Sequence, residues 1–328
     1  MFAACAMFSK EHGITVLGVC IIVEVVQPYR KVTQEHQETK TKQNLKQYNS
    51  SSYRSQCDKR RFSMFCLILS TILLIFLRLC VMGGFRGAPS FASADNPAAS
   101  QESFITRTLT FAYLPPFNVV HLLLCPNRLS FDWSMEAIPL ITTIFDMRNI
   151  ITIAIYSALA FSIFKAIKES CATNLVGLML GVKICNSENT STAKSSSVGA
   201  VISICLAIII LPFIPATNIF FYVGFVAAER ILYIPSMGYC VLVGCGLSRL
   251  WKATCYVFVS RGVCEKHDAK RRLMDKVFKF CFIVLTCVIF TSFSLKTIHR
   301  NGDWLNEESL YRSGVEINPP KGTVYQSY

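Results

Sequence analysis

The sequence contains 328 residues, of which 52% are hydrophobic and 16% are charged, and its formal net charge is +13. Ordinary soluble domains carry about 25% charged residues, so this composition excludes a typical soluble enzyme and favours a membrane protein. The positive charge alone would suit nucleic-acid binding, but the charges are confined to particular loops.

Apolar residues are concentrated in blocks that recur along the chain. The longest block, residues 62–82, has Arg78 as its only charge, and about 20 apolar residues are enough to cross a bilayer as a helix. Residues 1–8 resemble the end of a further helix, because they lack the basic start and the cleavage site of a signal peptide. The sequence therefore predicts an all-α polytopic membrane protein. Its predicted spans are residues 13–26, 62–82, 150–164, 198–212, 231–250 and 277–293.

Lysine and arginine are concentrated in two of the loops between these spans. Residues 30–61 contain nine of them and residues 252–276 contain seven, whereas residues 83–147 contain only three. Basic loops remain in the cytosol during membrane insertion. The asymmetry therefore indicates topology and argues against a nucleic-acid footprint.

The sides of the remaining loops follow by alternation. The two basic loops, residues 28–61 and 251–276, are predicted to be cytosolic. The far side of the membrane then receives residues 83–148, residues 213–230 and the C-terminus.

Fifteen cysteines would suggest a disulfide framework in a small secreted protein. Nearly all of them fall within spans or cytosolic loops, and only Cys125 is clearly on the far side, so we expect no disulfide to hold the fold together. Cys255, Cys264 and His267 have a loose metal-like spacing, but a fourth ligand is missing, and we predict no metal site.

Two far-side segments are neither clean spans nor ordinary loops. Residues 106–141 are apolar but contain four prolines, which break helices, so we predict short helices that lie at or dip into the membrane surface. Residues 211–238 are apolar except for the adjacent pair Glu229 and Arg230. Charges at membrane depth usually face a cavity or a partner.

A set of charged residues falls near this far-side face: Lys10, Glu11, Asp132, Glu229 and Arg230. Each of them alone is compatible with a helix-end anchor or an internal ion pair. Together they suit an anionic lipid headgroup with a phosphate leaving group, because a guanidinium binds phosphate bidentately and a lysine adds a point charge. No P-loop, nucleophile elbow or Rossmann glycine pattern occurs, so the chemistry of soluble enzymes is not indicated.

Four stretches of the sequence resemble a known family. They are ACAMFSKEHGITVLGVC; SFASADNPAAS followed by TRTLTFAYLPPFNVVHLLLCPNRLSFDWSMEAIPLI; PATNIFFYVGFVAAERILYIPSMGYCVLVGCGL; and RNGDWLNEESLYRSGVEINPPKG. Together they cover a little over a third of the chain. In this order they resemble the transmembrane and tetratricopeptide-repeat protein O-mannosyltransferases.

The resemblance implies a fold and an activity. The fold would be a partial GT-C-like multi-helix bundle with re-entrant or interfacial lumenal segments, in the endoplasmic reticulum membrane with a lumenal C-terminus. The activity would be transfer of mannose from dolichyl-phosphate-mannose to serine or threonine of cadherin-type domains, with the lipid-linked donor as substrate and no further cofactor.

The resemblance also implies roles for individual residues. Lys10 and Arg230 would contact the donor phosphate, and Glu11 and Glu229 would support them. In the family, a carboxylate of the first lumenal loop acts as general base. We expect that loop to lie upstream of Met1, which leaves Asp132 as the candidate substitute.

These expectations divide the chain into two domains. Residues 1–298 would form the membrane domain, which includes the lumenal family segment 83–148. Residues 299–328 would be the lumenal start of a tetratricopeptide-repeat region, since Trp304 and Tyr311 have the seven-residue separation of a repeat's first helix. We expect the chain to be a fragment without the N-terminal catalytic loop and most of the repeats.

Two other functions remain open on the sequence alone. A transporter or channel would fit the number of spans, although it predicts polar residues within the helices and a repeated half. A non-catalytic membrane scaffold of the endoplasmic reticulum would use its lumenal end to bind partners.

The topology can be tested with epitope tags in selectively permeabilised cells. Tags after Ser50 and after His267 should be reached from the cytosol, because both positions lie in basic loops. Tags after Ser100 and at the C-terminus should stay protected until the internal membrane is opened. Protection of the Ser50 tag would contradict the predicted topology.

Overall fold

The structure is a computed structural model that describes residues 2–27, 42–81, 95–124, 126, 129–131, 133, 137–168, 190–219, 223–260 and 268–317. Every regular element in these ranges is helical, which confirms the all-α prediction. The α-helices are α1 (Phe2–Ser9), α2 (Thr15–Val26), α3 (Lys42–Val81), α4 (Phe104–Phe117), α5 (Arg148–Ala166), α6 (Thr190–Ile210), α7 (Tyr233–Ser260), α8 (Asp268–Asp303) and α9 (Glu307–Ile317).

Five helical stretches of the described residues are long and apolar enough to cross a membrane: Arg54–Val81, Arg148–Ala166, Val198–Ala216, Glu229–Ala253 and Lys276–Asp303. They match five of the six predicted spans. The sixth, α2, has 12 residues, or about 18 Å at 1.5 Å per residue. That length is less than the roughly 30 Å of the hydrocarbon core, so α2 alone covers only part of the bilayer.

Two spans extend further than hydropathy predicts. Helix α3 begins at Lys42, well inside the basic loop, and the lysines, glutamines and arginines of this extension lose little rotamer freedom in a helix. Arg60 on this extension donates from Nη1 to the carbonyl oxygen of Gln27 at 2.7 Å. Helix α8 likewise begins at Asp268. The second half of the first basic loop and the end of the second are therefore helical.

Helices α6 and α7 form a closely packed antiparallel pair. A Cβ added to Gly238 of α7 would lie 2.6 Å from the carbonyl oxygen of Cys205 and 3.2 Å from Cβ of Ile208, both on α6. Small residues allow helix backbones to approach in this way within a membrane. Only glycine fits at position 238 without a shift of the backbone.

Helix α2 runs antiparallel to α6. Near its start, a Cβ added to Gly18 would lie 3.1 Å from Cδ1 of Leu211, just beyond the end of α6. At its other end, Val25 and Val26 are buried in one cluster with Ala200, near the start of α6. The beginning of α2 therefore lies at the same end of the bundle as Leu211.

Helices α3 and α8 are the most lipid-facing elements. In the apolar windows of their spans, no residue is buried inside the protein. Lipid tails are as apolar as these side chains, so such surfaces remain exposed in a bilayer at no cost. Contacts near the ends of these helices must therefore determine much of their placement.

The segments between the spans pack together at one end of the bundle into a unit that we call the cap. It comprises the described residues of 95–147, 211–232 and 300–317. Phe213 and Ile317 pack against its core. Three segments that the sequence predicts on the same side of the membrane thus contribute to one core. The buried residues of that core are Tyr113, Leu114, Phe117, Trp133, Ile138, Ile141, Val226, Ala227 and Leu232.

The prolines of the first cap segment do not divide it in the way the sequence predicts. Pro115 and Pro116 are buried inside the last turn of α4, and the chain continues directly into a π-helical turn, Asn118–Leu124. A proline has no backbone N–H to donate. Here the two prolines come just before the α-helix changes to a π turn, a conformation that is rare in proteins. The segment therefore begins with one 14-residue helix.

A buried amide network joins two loops of the cap. Asn96 donates from Nδ2 to Oδ1 of Asn218 at 2.9 Å and to the carbonyl oxygen of Val223 at 3.0 Å. The backbone N–H of Val223 donates to the same Oδ1 at 2.9 Å. Asn218 has a φ of 58°, a left-handed conformation that asparagine tolerates better than most residues. The network fixes the loop after α6 against the chain before α4.

The close contact between α6 and α7 leads to a stability prediction. Gly238→Ala should destabilise the protein by about 1–3 kcal/mol, since it overpacks a helix crossing. Gly244→Ala on the same helix is the matched control, because no atom lies within 4 Å of its added Cβ, and it should be neutral or slightly stabilising. Unfolding midpoints measured in detergent provide the comparison. Equal midpoints for the two variants would contradict the packing.

Candidate functional site

Lys10 and Glu11 lie where α1 gives way to α2. Lys10 is extended, with φ −159° and ψ 136°, and precedes a 3-10 turn, Glu11–Ile14. Its side chain is exposed. The side chain of Glu11 lies outside the described structure, as does the whole of Asp132.

Lys10 and Arg230 are at the same end of the helix bundle. Gly18, near the start of α2, lies against Leu211, and the chain continues from Leu211 through the cap to Arg230. Lys10 precedes α2 and is therefore at this cap end as well. The structure brings the two predicted phosphate-binding cations to one end of the bundle.

The carboxylate of Glu229 is held by Arg300, near the end of α8, and by Trp304, just after that helix. Arg300 donates from Nε to Oε1 and Oε2 at 3.0 and 3.2 Å, and from Nη2 to Oε1. Trp304 adds a hydrogen bond from Nε1 to Oε1 at 3.1 Å. The side chains of Glu229 and Arg300 are only 12% and 11% exposed. Bidentate geometry makes this a strong and directional ion pair.

Arg300 also forms hydrogen bonds with residues that follow it in the chain. Its Nη1 donates to Oδ2 of Asp303 at 2.9 Å and to Oγ of Ser313 at 3.0 Å. The hydroxyl of Ser313 donates to the carbonyl oxygen of Leu310 at 2.8 Å. One guanidinium therefore joins the end of α8, helix α9 and the turn that contains Glu229.

Arg230 follows Glu229 in a 3-10 turn, Glu229–Leu232. The turn is anchored on both sides, because Ala228 is fully buried and Leu232 is buried in the cap core. The side chain of Arg230 is exposed and makes no hydrogen bond or ion pair with the part of the chain that the structure describes. Its guanidinium is therefore available to a ligand.

An apolar stripe continues from Arg230 along the start of α7. Tyr233, Ile234 and Met237 are 72%, 45% and 51% exposed. Their spacing of three, four and seven residues from Arg230 places them on one helical face. The surface thus changes from a cation at the cap to an apolar track that enters the span.

The segment that contains Asp132 lies directly against the turn of Arg230. The backbone N–H of Trp133 donates to the carbonyl oxygen of Ala227 at 2.9 Å. The indole of Trp133 packs edge-on against Phe117, with ring centroids 5.1 Å apart. Trp133 Nε1 and Asn118 Oδ1 are buried and have no hydrogen-bond partner among the described residues. Two buried polar atoms of the cap thus lack a partner in the described part of the chain.

Sequence reasoning missed Arg300 and Trp304, which determine the setting of Glu229. Glu229 does not neutralise its neighbour Arg230, because its partner is Arg300, 71 residues later. Two features of the sequence pointed to the pair of Glu229 and Arg300. The two residues carry opposite charges near the far-side ends of two predicted spans, and both lie in stretches that carry the family resemblance.

The spacing of Trp304 and Tyr311 does not reflect one helix. Trp304 lies in a turn after α8, whereas Tyr311 belongs to α9. Asn306 caps the start of α9, since its Oδ1 accepts from the backbone N–H of Ser309 at 2.8 Å. The interpretation of this pair as a repeat's first helix is wrong on this point, and a repeat region in residues 299–328 stays a prediction.

No group of three histidine, cysteine or acidic side chains within the described ranges is placed to hold a metal ion. The loosely spaced set of Cys255, Cys264 and His267 falls outside the described side chains. The cysteines of the described part are free thiols.

An ion pair closes the edge of the cap at the start of α5. Arg148 donates from Nη2 to Oδ2 of Asp146 at 2.7 Å, and to the carbonyl oxygens of Pro139 and Leu140. The hydrogen bonds from the Arg148 side chain and then its backbone N–H lower the pKa of Asp146 from 3.8 to about 2. Burial raises the pKa of Tyr113, which lies under the same guanidinium.

Comparison with known proteins identifies related sequences. The family model described as protein O-mannosyl-transferase TMTC, DUF1736, matches residues 86–160. The chain is 37% identical to protein O-mannosyl-transferase TMTC2 of Mus musculus and 38% identical to that of Homo sapiens, in each case over 97% of this chain and 38% of the relative. It is 36% identical to TMTC3 of Homo sapiens over 99% of this chain and 30% of the relative.

These relatives are much longer than the aligned region. The chain spans 38% of the length of the TMTC2 proteins. No solved structure is significantly similar to it. The matched stretch 86–160 includes α4, the ion pair of Asp146 with Arg148 and the first part of α5.

The lowered pKa of Asp146 leads to a pH-dependent stability. A carboxyl whose pKa falls on folding stabilises the protein fully above its unfolded pKa, and this contribution is lost as the pH falls through the folded value. Wild type should therefore unfold at a higher temperature than Asp146→Asn above about pH 5, and the difference should disappear between about pH 4 and pH 2.

The control for this prediction is Asp58→Asn. Asp58 forms an exposed pair with Arg61 at 3.4 Å, and such pairs contribute little to stability. Its unfolding midpoint should follow that of wild type at every pH. A pH-independent gap between wild type and Asp146→Asn would contradict the assignment.

Proposed function

Because the chain belongs to the TMTC family of protein O-mannosyl-transferases, we propose that it forms membrane and cap regions of an enzyme that moves mannose from a lipid-linked donor to protein hydroxyl groups. The proposed donor is dolichyl-phosphate-mannose, and the proposed acceptors are serine or threonine residues of cadherin-type domains. The proposed compartment is the lumen of the endoplasmic reticulum, with the cap and the C-terminus on that side.

The observation that carries this proposal is the exposed guanidinium of Arg230 above an apolar track. A polyprenyl phosphate sugar has an anionic headgroup at the membrane surface and an apolar chain within the bilayer. Arg230 suits the phosphate, because guanidinium matches its oxygens bidentately. Tyr233, Ile234 and Met237 suit the chain, since they are exposed on the same face. Lys10, at the same end of the bundle, is proposed as a second cation.

The proposed reaction is substitution at the anomeric carbon of the sugar. The acceptor oxygen forms a bond to C1, the bond from C1 to the phosphate oxygen breaks, and the electron pair leaves with the lipid phosphate. Negative charge on that phosphate grows toward the transition state, so preorganised cations there accelerate the step. This is the role proposed for Arg230 and Lys10.

A base must receive the proton of the acceptor hydroxyl. General-base assistance typically contributes about 100- to 10,000-fold. Asp132 is the candidate that this chain offers, and support comes from its neighbour Trp133, which is bonded to Ala227, three residues before Arg230. Glu229 is less suited to the task, because its carboxylate already accepts from Arg300 and Trp304.

The transporter and scaffold alternatives have less support. The similar proteins are named as transferases. The cap also provides charged groups at the membrane surface, where a lipid-linked sugar would react. No observation on the described helices favours a transport path.

The donor site can be tested by binding and by transfer. Arg230→Ala and Lys10→Ala should each weaken binding of radiolabelled dolichyl-phosphate-mannose about 10- to 100-fold, which corresponds to the loss of one charge-assisted hydrogen bond of about 1.5–3 kcal/mol. Transfer to a cadherin-domain acceptor should fall in parallel. Protein reconstituted in nanodiscs is the material for both measurements.

The matched control is Arg312→Ala. Arg312 is an exposed arginine that pairs with Glu308 at 2.8 Å, with side chains 71% and 81% exposed, so its loss should leave donor binding and transfer unchanged. If both Arg230→Ala and Lys10→Ala bind donor as tightly as wild type, the two cations are structural anchors and the proposed donor site is wrong.

A further inference from the structure

Residues 300–317, which we call the strap, contact both cap segments that carry proposed site residues. Arg300 and Trp304 at its beginning hold Glu229, next to Arg230. Tyr311 further along packs edge-on against Phe131, next to Asp132, with ring centroids 5.4 Å apart. The strap therefore bridges segments that are about 100 residues apart in the chain.

The strap lies as close to Phe131 as a side chain permits. A Cβ added to Gly314 would lie 2.6 Å from Cε1 of Phe131, and Gly314 is buried in the contact. Ile317 packs against the cap core a turn later. The second half of α9 is thus packed on the cap.

The ion pair of Glu229 and Arg300 provides a polar contact between the strap and the rest of the cap. Removing one partner of a buried ion pair leaves an uncompensated charge, which is strongly destabilising. Helix α8 has no buried residue in the apolar window of its span, so this pair supplies a fixed point at its cap end. The carboxylate of Glu229 is consequently held in one orientation by Arg300 and Trp304.

We propose that Glu229 is a positioning residue of the donor site, clamped by Arg300 and Trp304 of the strap so that the next residue, Arg230, presents its guanidinium to a lipid-linked phosphate. This inference rests on the proposed function, since it takes Arg230 as the phosphate ligand. A turn that is already held in place loses less conformational entropy when the donor binds. It therefore binds the donor more tightly than a mobile turn would. Donor affinity would then depend on Arg300, which does not touch the donor.

The experiment is a double-mutant cycle on equilibrium binding of dolichyl phosphate to the full chain in nanodiscs. The variants are Arg300→Lys, Arg230→Ala and the double mutant, with dissociation constants referred to the folded fraction measured by gel filtration. Arg300→Lys keeps the charge but removes the bidentate clamp. Glu229→Gln, which keeps an acceptor for Trp304, replaces it in the cycle if Arg300→Lys folds poorly. Arg312→Lys, in the exposed pair on α9, is the control.

The inference is supported if the two substitutions have non-independent effects on the dissociation constant. Arg300→Lys should weaken binding about tenfold, as expected if the released Arg230 loses one charge-assisted hydrogen bond to the phosphate. The double mutant should bind no more weakly than Arg230→Ala alone. Coupled residues give such non-additivity, whereas a purely structural role gives independent effects.

Two results would overturn the inference alone: normal binding by Arg300→Lys in its folded fraction, or effects of Arg300→Lys and Arg230→Ala that multiply. Normal binding by Arg230→Ala is a different result. It would remove the proposed donor site, and the positioning role of Glu229 would fall with it.

Discussion

The ion pair between Glu229 and Arg300 joins the cap ends of two spans that are 71 residues apart in the chain. The hydrophobic effect does little to bring helices together in a bilayer, because the lipid is as apolar as their side chains. Helix α8 shows this directly, since the apolar window of its span is unburied. A desolvated, bidentate pair at the end of a span has a specific geometry that apolar contact lacks. Beyond this pair the chain continues into α9, which packs on Phe131.

The spans were predictable because length and hydropathy alone determine which segments cross a membrane. The true extents of α3 and α8 were not, since their basic extensions are helical for reasons of backbone propensity, which hydropathy does not record. The positions of the buried prolines within α4 were not predictable either. Pro115 and Pro116 lie in the last turn of a helix, and only the fold shows where that turn lies.

The candidate site was partly accessible from the sequence. Alternation of spans brought Lys10 and Arg230 to one end of the bundle, and the structure places them there. The partner of Glu229 was not accessible, because a contact between residues 229 and 300 depends on where the start of α7 lies relative to the end of α8. The buried Asn96–Asn218 network was missed because a positive φ at Asn218 is a property of the folded loop.

The basic extension of α3 has a consequence for the opposite end of the molecule. With 40 residues, α3 is about 60 Å long, roughly twice the hydrocarbon thickness, so its first half projects into water beyond the lipid. Arg54, Lys59 and Arg61 are exposed near the point where it emerges. Anionic headgroups attract such residues by about 1 kcal/mol each. The folded protein therefore favours a negatively charged leaflet at this end, and the lipid asymmetry of its membrane would help hold it upright.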